Sequence, residues 1–103
     1  MFRISENTLE IAMNKGDFGV ILGINFNDVN GTDIKFKIYN EEETLVEKTF
    51  ENITNNRIEL KLTQEESAKL EEGTYNYDLY QYKEGVLKNT LLKEKVFIVE
   101  WGV

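Results

Sequence analysis

Apolar and polar residues alternate along most of this chain, the two-residue period of strands that bury one face. Leu9, Ile11 and Met13 alternate with Glu10, Ala12 and Asn14 and predict a first full strand, preceded by a short arm or edge strand at Phe2 to Ile4. Phe18, Val20, Leu22, Ile24 and Phe26 make the most sustained alternation, which predicts a central strand over 18–26. Gly19 and Gly23 fall on its other face and point to a bulge or to close approach by another backbone. Ile34, Phe36 and Ile38 alternate with Lys35, Lys37 and Tyr39, and Ile58, Leu60 and Leu62 with Arg57, Glu59 and Lys61. Between these two runs, Val46, Lys48 and Phe50 against Leu45, Glu47 and Thr49 is a weaker pattern that suits an edge. Tyr75, Tyr77 and Leu79 then alternate with Thr74, Asn76 and Asp78. A closing strand runs from Leu91 to Trp101, with Val96 and Ile98 on one side and Phe97 and Val99 on the other, so both of its faces are expected to be covered. Lys15-Gly16-Asp17, Asn30-Gly31, Asn55-Asn56 and Lys83-Glu84-Gly85 punctuate these runs as turns.

One stretch breaks the two-residue period. Thr63 is a good N-cap, and Glu66 three residues later completes a capping box, predicting a short helix from about Gln64 to Leu70. Glu65 and Glu66 in the first turn and Lys69 near the last suit the helix dipole. Gly73 is placed to take the left-handed conformation that stops the helix. A small helix followed by Gly-Thr-Tyr reads as a corner between two sheets. There Tyr75 either returns its hydroxyl to the backbone, as in immunoglobulin-like corners, or is a core tyrosine whose hydroxyl reaches water. The corner residues are therefore Thr63, Glu66, Gly73 and Tyr75. Seven or eight short strands separated by turns, with one helix and no helix-periodic runs, predict an all-β, immunoglobulin-like antiparallel β-sandwich forming a single domain over 1–103.

Composition narrows function mainly by exclusion. With no cysteine and no histidine, the 103 residues carry no disulfide, no thiolate and no imidazole, the usual general base and the commonest metal ligand. Ser5 and Ser67 are the only serines and have no histidine to activate them. A net charge of -7 argues against nucleic acid and against an anionic membrane surface as partners. No apolar run approaches membrane-spanning length, and no signal peptide is apparent, so folding in a cytoplasm is expected. Asp28, Asn30 and Asp33 fail the order of a calcium loop, with Phe26 and Lys37 where its first and last acidic ligands would stand. Glu41, Glu42 and Glu43 read as a solvated charge run, and Gly16, Gly19 and Gly23 lack the spacing of a phosphate loop. No enzymatic site, cofactor or small-molecule substrate is expected. Tyr80 and Tyr82 are out of phase with the core-facing run before them, Tyr39 is out of phase with its own strand, and Trp101 lies near the C-terminus. These four are candidate protein-interface residues, since outward tyrosine and tryptophan are enriched at interfaces; otherwise they cover exposed sheet.

The order of these elements resembles the small immunoglobulin-like β-sandwich domain of tailed-phage and prophage structural proteins, such as the N-terminal domain of baseplate upper proteins. The resemblance runs from about Leu9 to Val99. It rests on Gly16-Asp17 before the long run, Asp33-Ile-Lys-Phe-Lys-Ile, Ile58-Glu-Leu-Lys-Leu-Thr-Gln-Glu-Glu, Gly73-Thr-Tyr-Asn-Tyr-Asp-Leu and the closing Val96-Phe-Ile-Val. From Leu62 through Leu79 the chain matches the pattern L-T-x-E-x-(T/S)-A-x-L-x-x-G-x-Y-x-Y-(D/E)-L, and Glu84-Gly85 stands where an Asp-Gly hairpin is usual. Phe18 departs from the Gly-Asp-Thr that opens the long strand in that pattern. The resemblance implies a non-enzymatic tail or baseplate-type component that contacts other phage structural proteins or its own copies, in the virion or in the bacterial host cytoplasm. Two other roles fit the composition: a small acidic inhibitor or regulator of a host protein, imitating nucleic acid by its charge, and a carbohydrate-binding module that stacks sugars on exposed tyrosines.

Overall fold

Most of the alternating runs find a partner that lets their apolar side turn inward, and the result is a sandwich of unequal layers. The structure, a computed structural model, describes residues 2–101. Its elements are β1 (Phe2–Ile4), β2 (Ile11–Asn14), β3 (Leu22–Asn25), β4 (Asp33–Tyr39), β5 (Thr44–Phe50), β6 (Arg57–Leu60), α1 (Gln64–Ala68), β7 (Gly73–Lys83) and β8 (Val86–Glu100). Six strands form one sheet in the order β1-β2-β8-β7-β4-β5, and β3 pairs with β6 in a second, two-stranded sheet. The order β8-β7-β4-β5 facing β3-β6 is that of an immunoglobulin variable-type sandwich, whose G, F, C and C′ strands face B and E.

One pairing departs from a wholly antiparallel arrangement: β2 runs parallel to β8, with Ile11 opposite Phe97 and Asn14 opposite Glu100. Parallel neighbours need a long connection rather than a tight turn, and these two strands are separated by almost the whole chain. A second departure concerns the run expected to be the central strand. Only Leu22–Asn25 is strand, and it lies in the small sheet. Phe18, Val20 and Ile21 are 52%, 45% and 53% exposed. Gly19 turns there at φ 75, and the only strand partner among the described residues, β6, is four residues long. Gly23 leaves room for a side chain rather than a backbone, because a Cβ at this position would collide with the Arg57 guanidinium. Leu9 likewise lies outside the first full strand, turning at φ 62 before β2 begins at Ile11.

The helix is shorter than its expected span, and Gly73 does not stop it. Lys69 is the C-cap in ordinary helical conformation, and the N–H groups of Lys69 and Leu70 donate to Glu66 and Ser67, tightening the end into a 3₁₀-like turn. Gly73 instead opens β7 at φ 144.

The centre of the core is aromatic. Phe36 and Tyr77 lie 5.8 Å apart between ring centroids, and Tyr77 and Phe97 6.5 Å, all three fully buried. Tyr77 follows the corner tyrosine Tyr75 by two residues, the place of the second cysteine in disulfide-bonded immunoglobulin domains. In this cysteine-free chain ring packing occupies that place, and the Tyr77 hydroxyl is satisfied by donating to the Leu9 carbonyl at 2.6 Å.

Candidate functional site

The outward positions of β4 and β7 form one continuous strip. Asp33 stands opposite Tyr82, Lys35 opposite Tyr80, Lys37 opposite Asp78 and Tyr39 opposite Asn76. Because Ile34, Phe36 and Ile38 face the core, their neighbours Lys35, Lys37 and Tyr39 are turned outward by the pleat. The strip is nonetheless far from a loosely solvated surface. Asp78, on the outer phase of β7, is 2% exposed. Its carboxylate accepts from the Tyr39 hydroxyl at 2.9 Å, from the Tyr80 hydroxyl, and from the Glu94 backbone N–H at 2.7 Å. Lys37 lies over both tyrosine rings, 5.1 Å from the centroid of Tyr39 and 5.6 Å from that of Tyr80. Lys35 lies 5.3 Å from the centroid of Tyr82.

The electrostatics follow from this geometry. Burial alone would raise the Asp78 carboxyl, but donors from Tyr80, Glu94 and Tyr39, with Lys37 nearby, outweigh it and hold the carboxyl below its usual range. The Tyr80 phenol is pushed up to about 12, first by its bond to Asp78 and then by burial. Tyr39 is raised as well, first by burial and then by Asp78. All three groups thus keep their neutral-pH charge state through and beyond the physiological range. The arrangement holds the Tyr39 and Tyr80 phenols on one carboxylate and places the Lys35 and Lys37 ammonium groups over aromatic rings.

Tyr39, Tyr80 and Tyr82, picked out by phase alone, are brought together on this strip, each half-buried. Trp101 is not joined to them. It follows the end of β8, is 67% exposed, and makes no ring contact among the described residues. The corner residues form a separate structural unit. Thr63 Oγ1 accepts from the Glu66 N–H at 3.1 Å, and the Glu66 carboxylate accepts from the Thr63 N–H at 2.9 Å. Glu66 also takes the Lys48 ammonium at 2.8 Å, tying α1 to β5. Tyr75 donates its hydroxyl to the Glu71 carbonyl at 2.8 Å, four residues upstream.

Sequence reasoning missed Asp78, the residue on which the strip is built. Its position on the polar phase of β7 carries the same signal as any solvated aspartate. Only the proximity of Tyr80 two residues on, together with the cross-strand register, distinguishes it. Gln81 was missed as well, although it stands on the core phase of β7 opposite Ile34: it is buried, and its amide donates to the Asp28 carbonyl and Thr32 Oγ1 and accepts from Asn89. The polar loop around Asn30 is closed by reciprocal bonds, with the Asn30 amide oxygen accepting from the Asn56 N–H and the Asn56 amide oxygen from Val29 and Asn30. A polar cleft of about 450 Å³ opens beside it, lined by Asp28, Asn30, Thr32, Asn56, Lys83 and Lys88. Among the described residues no group of three or more acidic side chains is placed to hold a metal ion. No protein-family model matches this chain, and no curated protein or solved structure matches it either.

Proposed function

We propose that this protein is a non-enzymatic assembly component that docks onto other proteins through the outer strip of β4 and β7, as a tail or baseplate-type part of a phage or prophage. One observation carries the reading: Tyr39 and Tyr80 are immobilised by a shared, buried Asp78, with Lys35 and Lys37 lying across the rings of the strip. Aromatic side chains already held in place lose little freedom when a partner covers them, so more of their contact area contributes to affinity. The net charge of -7 argues against nucleic acid or an anionic lipid surface as the partner, and tyrosine is a residue that protein interfaces enrich. The phage setting is supported by the sequence resemblance from Leu9 to Val99 rather than by the strip.

The test is co-precipitation with the products of neighbouring genes, using the intact chain and a variant carrying Tyr80→Ser and Tyr82→Ser. The variant is expected to keep its β-rich circular dichroism spectrum and lose partner capture. Undiminished capture by a folded variant would remove the strip as the docking surface.

A further inference from the structure

Two open stretches of strand edge in the six-stranded sheet, one on β8 and one on β5, carry opposite charge. β8 pairs with β7 along its length, but β2 covers its other side only from Phe97 to Glu100. Its first part, from Val86 onward, therefore has no second strand neighbour among the described residues, up to a kink where Glu94 sits at φ 55. Every residue of this stretch is exposed as far as Thr90, with Val86 and Leu87 at 68% and 50%. Residues 83–95 hold four lysines (Lys83, Lys88, Lys93 and Lys95) against two glutamates. None of those lysines lies within ion-pair distance of a carboxylate among the described residues, whereas Lys15, Lys35 and Lys48 are all paired. At the far end of the sheet β5 is the terminal strand. Residues 41–51, which contain it, hold five glutamates (Glu41, Glu42, Glu43, Glu47 and Glu51) against the single Lys48.

We infer that copies of this chain associate head to tail, the β7–β8 hairpin of one copy seating against the acidic β5 edge of the next. Strand direction permits it. β5, β4, β7 and β8 are antiparallel in succession, so β8 and β5 run in opposite senses. A second copy placed alongside in the same orientation then continues the sheet with antiparallel neighbours. Length permits it too, since the seven residues of β5 fit the free stretch that begins at Val86. Pairing of like edges is disfavoured. Two β8 edges would oppose lysines. Two β5 edges would oppose glutamates. Unlike edges attract, and such a contact leaves a free edge at each end of the pair, so more copies can add. The contact uses strand edges and not the tyrosine strip, so it stands or falls separately from the docking role.

Sedimentation velocity across a concentration series tests it on the full chain. Species heavier than the monomer are expected to grow with concentration and shrink as salt is raised. Lys88→Glu with Lys93→Glu on one chain, and Glu43→Lys with Glu51→Lys on another, are each expected to leave a folded monomer. Mixing the two variants should restore the heavier species, because each contact then again joins opposite charges. Tyr80→Ser with Tyr82→Ser should leave the assembly intact. A parent chain that remains monomeric throughout would overturn the inference, as would heavier species that survive both charge reversals or that vanish with the tyrosines alone.

Discussion

Asp78 is where single-residue chemistry decides most. It is a carboxylate removed from water and kept charged because it has three hydrogen-bond donors and a nearby ammonium. Its lowered pKa has a definite consequence for stability. A carboxyl whose folded value lies below its unfolded value contributes stability above the unfolded value, and that contribution disappears as pH falls through the folded value. Tyr80 works at the opposite limit. Raised from 10.0 to about 12, it contributes stability that is complete below 10 and is lost as pH rises toward 12. Asp78→Asn is therefore expected to flatten the acid limb of a stability–pH profile and to bring the Tyr39 and Tyr80 phenols back toward ordinary values in an ultraviolet titration. Tyr77, raised to about 12 by burial alone, should still titrate late in that variant. Unchanged titration of all the tyrosines would show that the Asp78 bonds do not form in solution.

At the scale of elements, α1 shows how five helical residues persist in a β protein. So short a helix is unstable in isolation, so its ends must be satisfied from outside. The capping box supplies two bonds at the N-terminus, and Lys48 anchors Glu66 to β5. Thr63→Ala is expected to cost about 1 kcal/mol in urea unfolding, the usual cost of a lost N-cap. A change indistinguishable from zero would mean that packing of the buried Leu62 and Leu70 holds the corner without its cap. The corner was legible because capping chemistry is local: Thr63 and Glu66 are three residues apart, and no other part of the chain is needed to bring them together. The run over 18–26 was misread for the converse reason. Alternation records which side of a strand would be apolar, but a strand exists only where a partner backbone completes its ladder, and β6 provides four residues.

Across the whole molecule, the closing contact joins the two ends of the chain. β2 and β8 meet at Ile11 opposite Phe97, and both residues are fully buried. Long loops must close before such a pairing stabilises anything, so folding is expected to take milliseconds to seconds, the range of sandwiches with nonlocal strands. Stopped-flow refolding checks this, and Ile11→Ala should accelerate unfolding more than it slows folding if β2 docks after the transition state. Microsecond refolding would indicate that β2 is not part of the cooperative core. The same topology leaves one side of β8 without a strand neighbour from Val86 to Val96 among the described residues and places β5 at a margin of the sheet, so the charge division between these edges is a property of the assembled sheet.

Local rules in the amino-acid order were sufficient for the all-β class, the inward phase of β4, β6 and the first half of β7, and the capped start of the helix. Each of these depends on residues within a few positions of one another, where side-chain periodicity and hydrogen-bond reach act directly. Tertiary structure alone decided which strands became neighbours, that β2 would lie parallel to β8, and that β3 would be short. It also decided that Asp78 would be buried beneath two tyrosines. Those outcomes require groups from distant positions to share one space, and a polar residue has the same local pattern whether water or a phenol hydroxyl comes to meet it.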